Sequence, residues 1–128
     1  MASTTGERHM STRATYQIKT PLNTSTVYIH YDGYLSGAAE YFRNAIDLNR
    51  ISGRQFLPCF LWANENAEMT KSHEWHGDTE YRYDLERKAG IWNVTAYKRK
   101  SYDSDVFEVV YDGNLSAFVS QHATQEAA

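Results

Sequence analysis

Two spacings run through the chain. Hydrophobic positions recur every second residue near both ends and at helical intervals between them. Residues 15–19 (TYQIK) and 25–31 (STVYIHY) read as strands, the second rich in β-branched and aromatic side chains. In it Val27, Ile29 and Tyr31 alternate with Tyr28, His30 and Asp32, and the first set is the expected core face. Pro21, Asn23 and Ser25 supply the connection. Asp32-Gly33 ends the second strand in a turn, with Asp32 bonding locally and Gly33 at positive φ.

A helix is predicted over 36–49. Ser36 is its expected N-cap, Glu40 lies near its positive end, and Leu35, Ala38, Ala39, Phe42, Ala45 and Ile46 share one stripe. A second helix is predicted over 55–67, firm from Pro58, because proline is tolerated only in a first turn. Phe56, Phe60, Ala63 and Ala67 mark its buried side. Residues 69–77 are polar and read as loop. From Thr79 the period returns to two: Tyr81, Tyr83 and Leu85 point one way, and Glu80, Arg82, Asp84 and Glu86 the other. Lys88-Ala89-Gly90 turns that strand into another over 91–98. After a charged loop, a strand over 106–111 meets Asp112-Gly113-Asn114, a hairpin signal leading into a last strand over 115–120. The order ββααββββ specifies an α+β fold: a single domain, a mainly antiparallel sheet and two helices packed on one face. The charged face of the meander is expected to meet water.

Composition narrows the setting. The 128 residues suit one domain, able to bury roughly two thirds of its unfolded surface. A hydrophobic content of 41% argues against global disorder. No apolar run approaches the roughly 20 residues of a membrane span. Cys59 is the only cysteine, which excludes an internal disulfide and points to a reducing cytoplasm. A formal charge of -3 disfavours general coating of nucleic acid. Residues 1–9 (MASTTGERH) are small and polar, and His9-Met10 is the pair a cloning site leaves before a native start. They are expected to be an appended leader, with Met10 as initiator, the domain over 10–121 and a flexible tail over 122–128.

Four groups of residues are candidates for chemistry. His30 and Asp32, two apart on one strand, place an imidazole beside a carboxylate, as a general base or half a metal site requires; the plainer reading is a strand-ending turn. His73 and His76, with Asp78 beyond them, are weak metal-ligand candidates. Their spacing of three in a loop is not the helical His-Glu-x-x-His spacing, and structural zinc normally takes two ligand pairs. Cys59 in an apolar helical run reads as buried and inert. Lys98-Arg99-Lys100, near Tyr97 and Tyr102, suits single-stranded nucleic acid, but Asp103 and Asp105 oppose it. No Gly-rich phosphate loop, dinucleotide fingerprint or Gly-x-Ser-x-Gly elbow occurs, and no cofactor is expected.

Three pieces then combine: Thr12-Arg13-Ala14-Thr15, the run VYIHYDGYLSGAA over 27–39, and Gly77-Asp78-Thr79-Glu80-Tyr81-Arg82-Tyr83. Together they resemble a family of small uncharacterised proteins of bacteria, archaea and their phages and mobile elements, whose signature reads His-Trp-Asp-Gly-Tyr-Pro. The matching positions are Arg13, His30, Asp32, Gly33 and Tyr34; Tyr31 stands where tryptophan is usual and Leu35 where proline is usual. The resemblance implies a fold and a genomic context, not an activity. If the strand of Arg13 lies beside that of Asp32, the two would pair. A buried Arg13–Asp32–His30 network would fix the strand-to-helix corner, and the same trio would also make a small polar pocket.

The expected function is a non-enzymatic cytoplasmic protein-interaction module, encoded by a phage or mobile element, that regulates or inhibits a host protein or binds a viral one. Its expected contact residues are Tyr34, Trp75, Tyr97 and Tyr102, with the acidic side chains of Glu80, Asp84 and Glu86. Exposed sheet edges would permit a homo-oligomer. The alternatives are a small hydrolase or nuclease using His30 and Asp32, with Arg13 stabilising negative charge, and a single-strand nucleic-acid binder.

Overall fold

A computed structural model describes residues 12–123. The leader, Met10 as initiator and most of the tail lie outside the described residues. The chain forms β1 (Ala14–Lys19), β2 (Thr24–Ile29), α1 (Leu35–Ser52), α2 (Phe56–Ala63), β3 (Ala67–Thr70), one 3-10 turn (His73–Trp75), β4 (Tyr81–Lys88), β5 (Ile91–Arg99), β6 (Phe107–Asn114) and α3 (Leu115–His122). The strands lie in the order β3-β2-β1-β4-β5-β6. Every neighbouring pair is antiparallel except β1 with β4, which run parallel. The fold is α+β with a mostly antiparallel sheet. Its first eight elements follow the predicted order, and a third helix is added at the end. No helix among the described residues is long and apolar enough to cross a membrane.

Two segments change identity. Residues 115–120 belong to α3, not a strand. The Asn114 side chain accepts a hydrogen bond from the Ala117 N–H at 3.1 Å, capping the helix, and Leu115 and Phe118 bury the face behind it. Asp112-Gly113-Asn114 is therefore the end of β6 rather than a hairpin turn. The remaining strand is β3, which lies partly in the predicted helix and partly in the predicted loop. It pairs with β2, Ala67 opposite Ile29 and Thr70 opposite Thr26. Asn64 stops α2 short of it by donating to the carbonyls of Phe60 at 2.9 Å and Tyr41 at 3.2 Å. Pro58 is the third residue of α2, where its missing N–H costs no helical bond.

The strand-to-helix corner also departs from expectation. Asp32, not Gly33, takes the positive φ, at 57°; aspartate tolerates that region better than most residues. Tyr34 occupies the cap position of α1 in extended conformation, so Ser36 lies inside the first turn. Tyr31 turns outward instead of joining the core with Val27 and Ile29. Gly33 is required by proximity: its N–H donates to Thr12 at 2.9 Å, and a Cβ there would sit 2.6 Å from the Ala14 Cβ. The Tyr83 hydroxyl donates to the Gly33 carbonyl at 2.6 Å and ties the corner to β4.

All three helices cover one face of the sheet, and the core between them is aromatic. Tyr16 and Tyr83 are register partners across the parallel seam and stack at 5.0 Å. Burial pushes both hydroxyls well above the ordinary tyrosine value; Tyr41 and Asp32 add to the effect at Tyr16, and Tyr16 and Tyr81 at Tyr83. Folding thus holds these protons. The stabilisation is complete below about pH 10, the ordinary tyrosine value, and is lost as pH rises above it. We expect alkaline unfolding beyond about pH 10, with a fraction of the tyrosinate absorbance appearing only as the near-UV circular dichroism collapses. Gradual ionisation of all ten tyrosines with folding intact would contradict this.

Candidate functional site

The opposite sheet face carries the polar side chains, and the connection from β3 to β4 crosses it. Here the candidate residues are regrouped. Arg13, just before β1, pairs with Asp78 rather than Asp32: its Nε lies 3.1 Å from Asp78 Oδ2. The same guanidinium lies along the His30 ring, Nε 3.3 Å from Nδ1 and Nη2 3.1 Å from Nε2. The Tyr28 hydroxyl lies 3.2 Å from His30 Nδ1 and donates to Asp78 at 3.3 Å. Burial and then the charge of Asp78 raise the Tyr28 hydroxyl, so it keeps the proton it donates. His76 stacks on the Tyr28 ring at 3.8 Å and bonds Thr70 at 2.8 Å. Asp32 lies apart, on the far side of the corner, where it accepts from the Tyr34 hydroxyl at 3.1 Å. The strand ends at Ile29 and the chain turns before Asp32, so His30 and Asp32 do not share a face. The predicted Arg13–Asp32–His30 trio is thus replaced by Arg13, His30 and Asp78, closed over Tyr28.

His73 goes elsewhere. Its Nδ1 lies 2.6 Å from the Thr15 hydroxyl and its Nε2 2.7 Å from Asp84 Oδ1. A hydroxyl, an imidazole and a carboxylate in line are the parts of a hydrolytic triad. Burial denies that use: Thr15 is 0% exposed, so no substrate reaches its oxygen. The arrangement is a clamp that fastens the 3-10 turn to β1 and β4. His73 therefore turns to Thr15 and Asp84, away from His76 and Asp78, which both contact Tyr28. Among the described residues no three His, Cys, Asp or Glu side chains converge to hold a metal ion.

Beside the clamp lies an open cavity of about 340 Å³ bounded by Glu74, Arg82, Asp84, Tyr97 and Phe107. Burial lowers the Arg82 guanidinium while Glu74, 3.7 Å away, opposes the shift. Arg82 and Arg99 both lie over the Phe107 ring, at 4.1 and 4.6 Å. Burial, then the Asp84 carboxylate, raises the Tyr97 hydroxyl. The basic run at 98–100 loses its centre: buried Arg99 donates to the carbonyls of Thr79, Gly77 and Ser104. It fastens two loops together and is not available to a phosphate chain.

The remaining predicted contact residues are scattered. Trp75 is exposed beneath Lys71, whose Nζ lies 4.5 Å from the ring centre. Tyr102 is 95% exposed on the β5–β6 loop. Glu80 is exposed and Asp84 half-buried. Cys59 is buried in α2, as expected.

A more coherent surface was not among the predicted residues. At the end of the domain where α1 passes into α2, a cavity of about 350 Å³ is lined by Leu22, Arg54, Phe56, Arg87 and Trp92. A second, of about 340 Å³, shares Asn49, Phe56 and Trp92 and extends to Ile91. Phe56 packs on Trp92 at 4.8 Å, and the Arg54 guanidinium lies 5.5 Å from the Trp62 ring centre. Leu22 is 88% exposed and Trp62 72%. One signal was present in the sequence: Trp92 has the parity of Val94 and Ala96 in β5 but lies beyond them, at the strand end. Comparison of the chain with protein-family models, curated proteins and solved structures returns no match in any of the three.

Proposed function

We propose that the protein is a non-enzymatic interaction module acting in the cytoplasm, a regulator or inhibitor of a host protein, encoded by a phage or mobile element. The observation that supports it is a contrast. The candidate acid–base groups are engaged with one another, Arg13 with His30 and Asp78, and His73 with Thr15 and Asp84. Large apolar side chains meanwhile stand in water at one end of the domain: Leu22, Ile51, Trp62 and Ile91. A monomer that exposes such a cluster gains by covering it. Self-association has its own support, because β6 is an eight-residue edge strand with Val109 and Val110 exposed.

The test pairs capture from a host lysate with the native mass of the particle, using wild type and His30→Ala. His30→Ala removes the ring that the Arg13 guanidinium and the Tyr28 hydroxyl lie against, and is expected to lower the melting temperature. Below its lowered melting temperature, the variant is expected to capture the same stoichiometric partner. Loss of a measurable turnover in a variant that stays folded would instead favour the hydrolase reading.

A further inference from the structure

We propose that the groove beside Phe56 and Trp92 docks a short acidic segment of a partner protein, an apolar side chain of the segment lying against Leu22 and the open edge of Trp92 and its flanking carboxylates held by Arg54 and Arg87. This rests on the interaction reading above and names the surface and the partner chemistry. The charge pattern carries it. Seven arginines fall within the described residues, and four are matched by carboxylates: Arg13 with Asp78, Arg43 with Glu40, Arg82 with Glu74 and Arg99 with Asp105. Arg50, Arg54 and Arg87 have no ion pair among the described residues, and two of these three line this groove. Neither adjoining cavity has an Asp or Glu in its lining. In a chain of net charge -3, a carboxylate-free hollow with two unmatched guanidiniums is complementary to acidic groups. Guanidinium forks suit carboxylates bidentately, and arginine beside tryptophan is the composition of interface hot spots.

Nucleic acid fits less well. Base stacking needs an open aromatic face. Trp92 is packed against Phe56, and Trp62 lies beneath Arg54.

The three tryptophans report on the site independently: Trp62 and Trp92 belong to this end of the domain and Trp75 to the opposite sheet face. The full chain is titrated with a short peptide alternating glutamate with leucine around a central phenylalanine, and the indole N–H signals are followed by NMR. The Trp92 and Trp62 signals are expected to move while Trp75 stays fixed. Binding is expected to weaken with added salt, and by about tenfold or more in Arg54→Glu/Arg87→Glu, if that variant keeps the wild-type melting temperature. A variant that does not fold is replaced by Arg54→Gln/Arg87→Gln. The proposal is overturned if the Trp92 and Trp62 signals stay fixed, if a lysine-for-glutamate peptide binds equally, or if the charge variant binds undiminished. It is also overturned if oligothymidylate produces the same shifts more tightly. A cellular partner captured equally by wild type and the charge variant would retain the interaction reading and reject this groove as its seat.

Discussion

Replacing Phe42 with alanine is expected to lower the unfolding free energy by about 3–5 kcal/mol, a large share of what a domain of this size possesses. Phe42 is fully buried where the layers meet: its ring lies 5.7 Å from Tyr16, 5.8 Å from Tyr83, 6.0 Å from Phe60 and 5.7 Å from Phe118. Those neighbours come from β1, β4, α2 and α3, so the ring is the point at which all three helices and both halves of the sheet meet. Truncation removes apolar burial and two edge-to-face contacts at once, and rings held from four directions collapse poorly into the void. Urea unfolding would read the change as a lower midpoint with an unaltered slope. A loss below about 1 kcal/mol would mean that the aromatic cluster repacks freely and is not the centre of the fold.

The second large effect is expected at Gly37, and its sign distinguishes two mechanisms. Helix propensity alone favours Gly37→Ala by up to about 1 kcal/mol. Space forbids it: a Cβ would lie 2.1 Å from the Asp32 carbonyl oxygen and 2.9 Å from both its carbonyl carbon and its Cβ. These are mostly backbone atoms of a residue already in the left-handed region, so the corner cannot yield cheaply. Overpacking of this kind costs about 3 kcal/mol or more and outweighs the propensity gain. We expect a net loss of about 2 kcal/mol or failure to fold. Gly77→Ala, with nothing within 4 Å of its Cβ position, is expected to change stability by less than about 0.5 kcal/mol. Equal melting temperatures for the two variants would show that the corner is pliable.

What could be read from the residues follows from the range of the interactions involved. The strands near 15–19 and 25–31, the stripe of α1 and the Tyr81-Tyr83-Leu85 alternation are local periodicities, and they survive folding. The turn at Lys88-Ala89-Gly90 is local too, with Ala89 and Gly90 both at positive φ. Residues 115–120 misled because a short apolar run suits either a strand or a buried helix. The decisive feature was Asn114, which serves as readily in a turn as at a helix cap. Strand β3 has only four residues and owes its form to the edge of β2, which no local pattern announces. The polar clusters depend still more on topology. Arg13 meets Asp78 because β1 lies beside β4, and His73 finds Thr15 and Asp84 only once the same pair has formed. The end groove is likewise assembled from residues far apart in the chain, so its arginines read beforehand as ordinary surface charge.

The parallel pairing of β1 with β4 also bears on how the molecule comes into being. On either side of it the chain joins near neighbours: β1 turns directly into β2, and β4 runs through a tight turn into β5 and then β6. The seam unites the most distant strands, Ala14 with Tyr81 through Lys19 with Glu86, and β2 reaches β3 across both helices at a shorter separation. The pairs β1–β2 and β4–β5–β6 can therefore take shape early from contacts of short loop length, whereas the seam must wait for the longest loop to close. Side chains along it, Tyr16 and Tyr83 foremost, are expected to set the speed of folding, and those deep within either half how slowly the finished protein comes apart. His73, whose ring bonds one strand on each side of the seam, is the latch that closes once the halves have met.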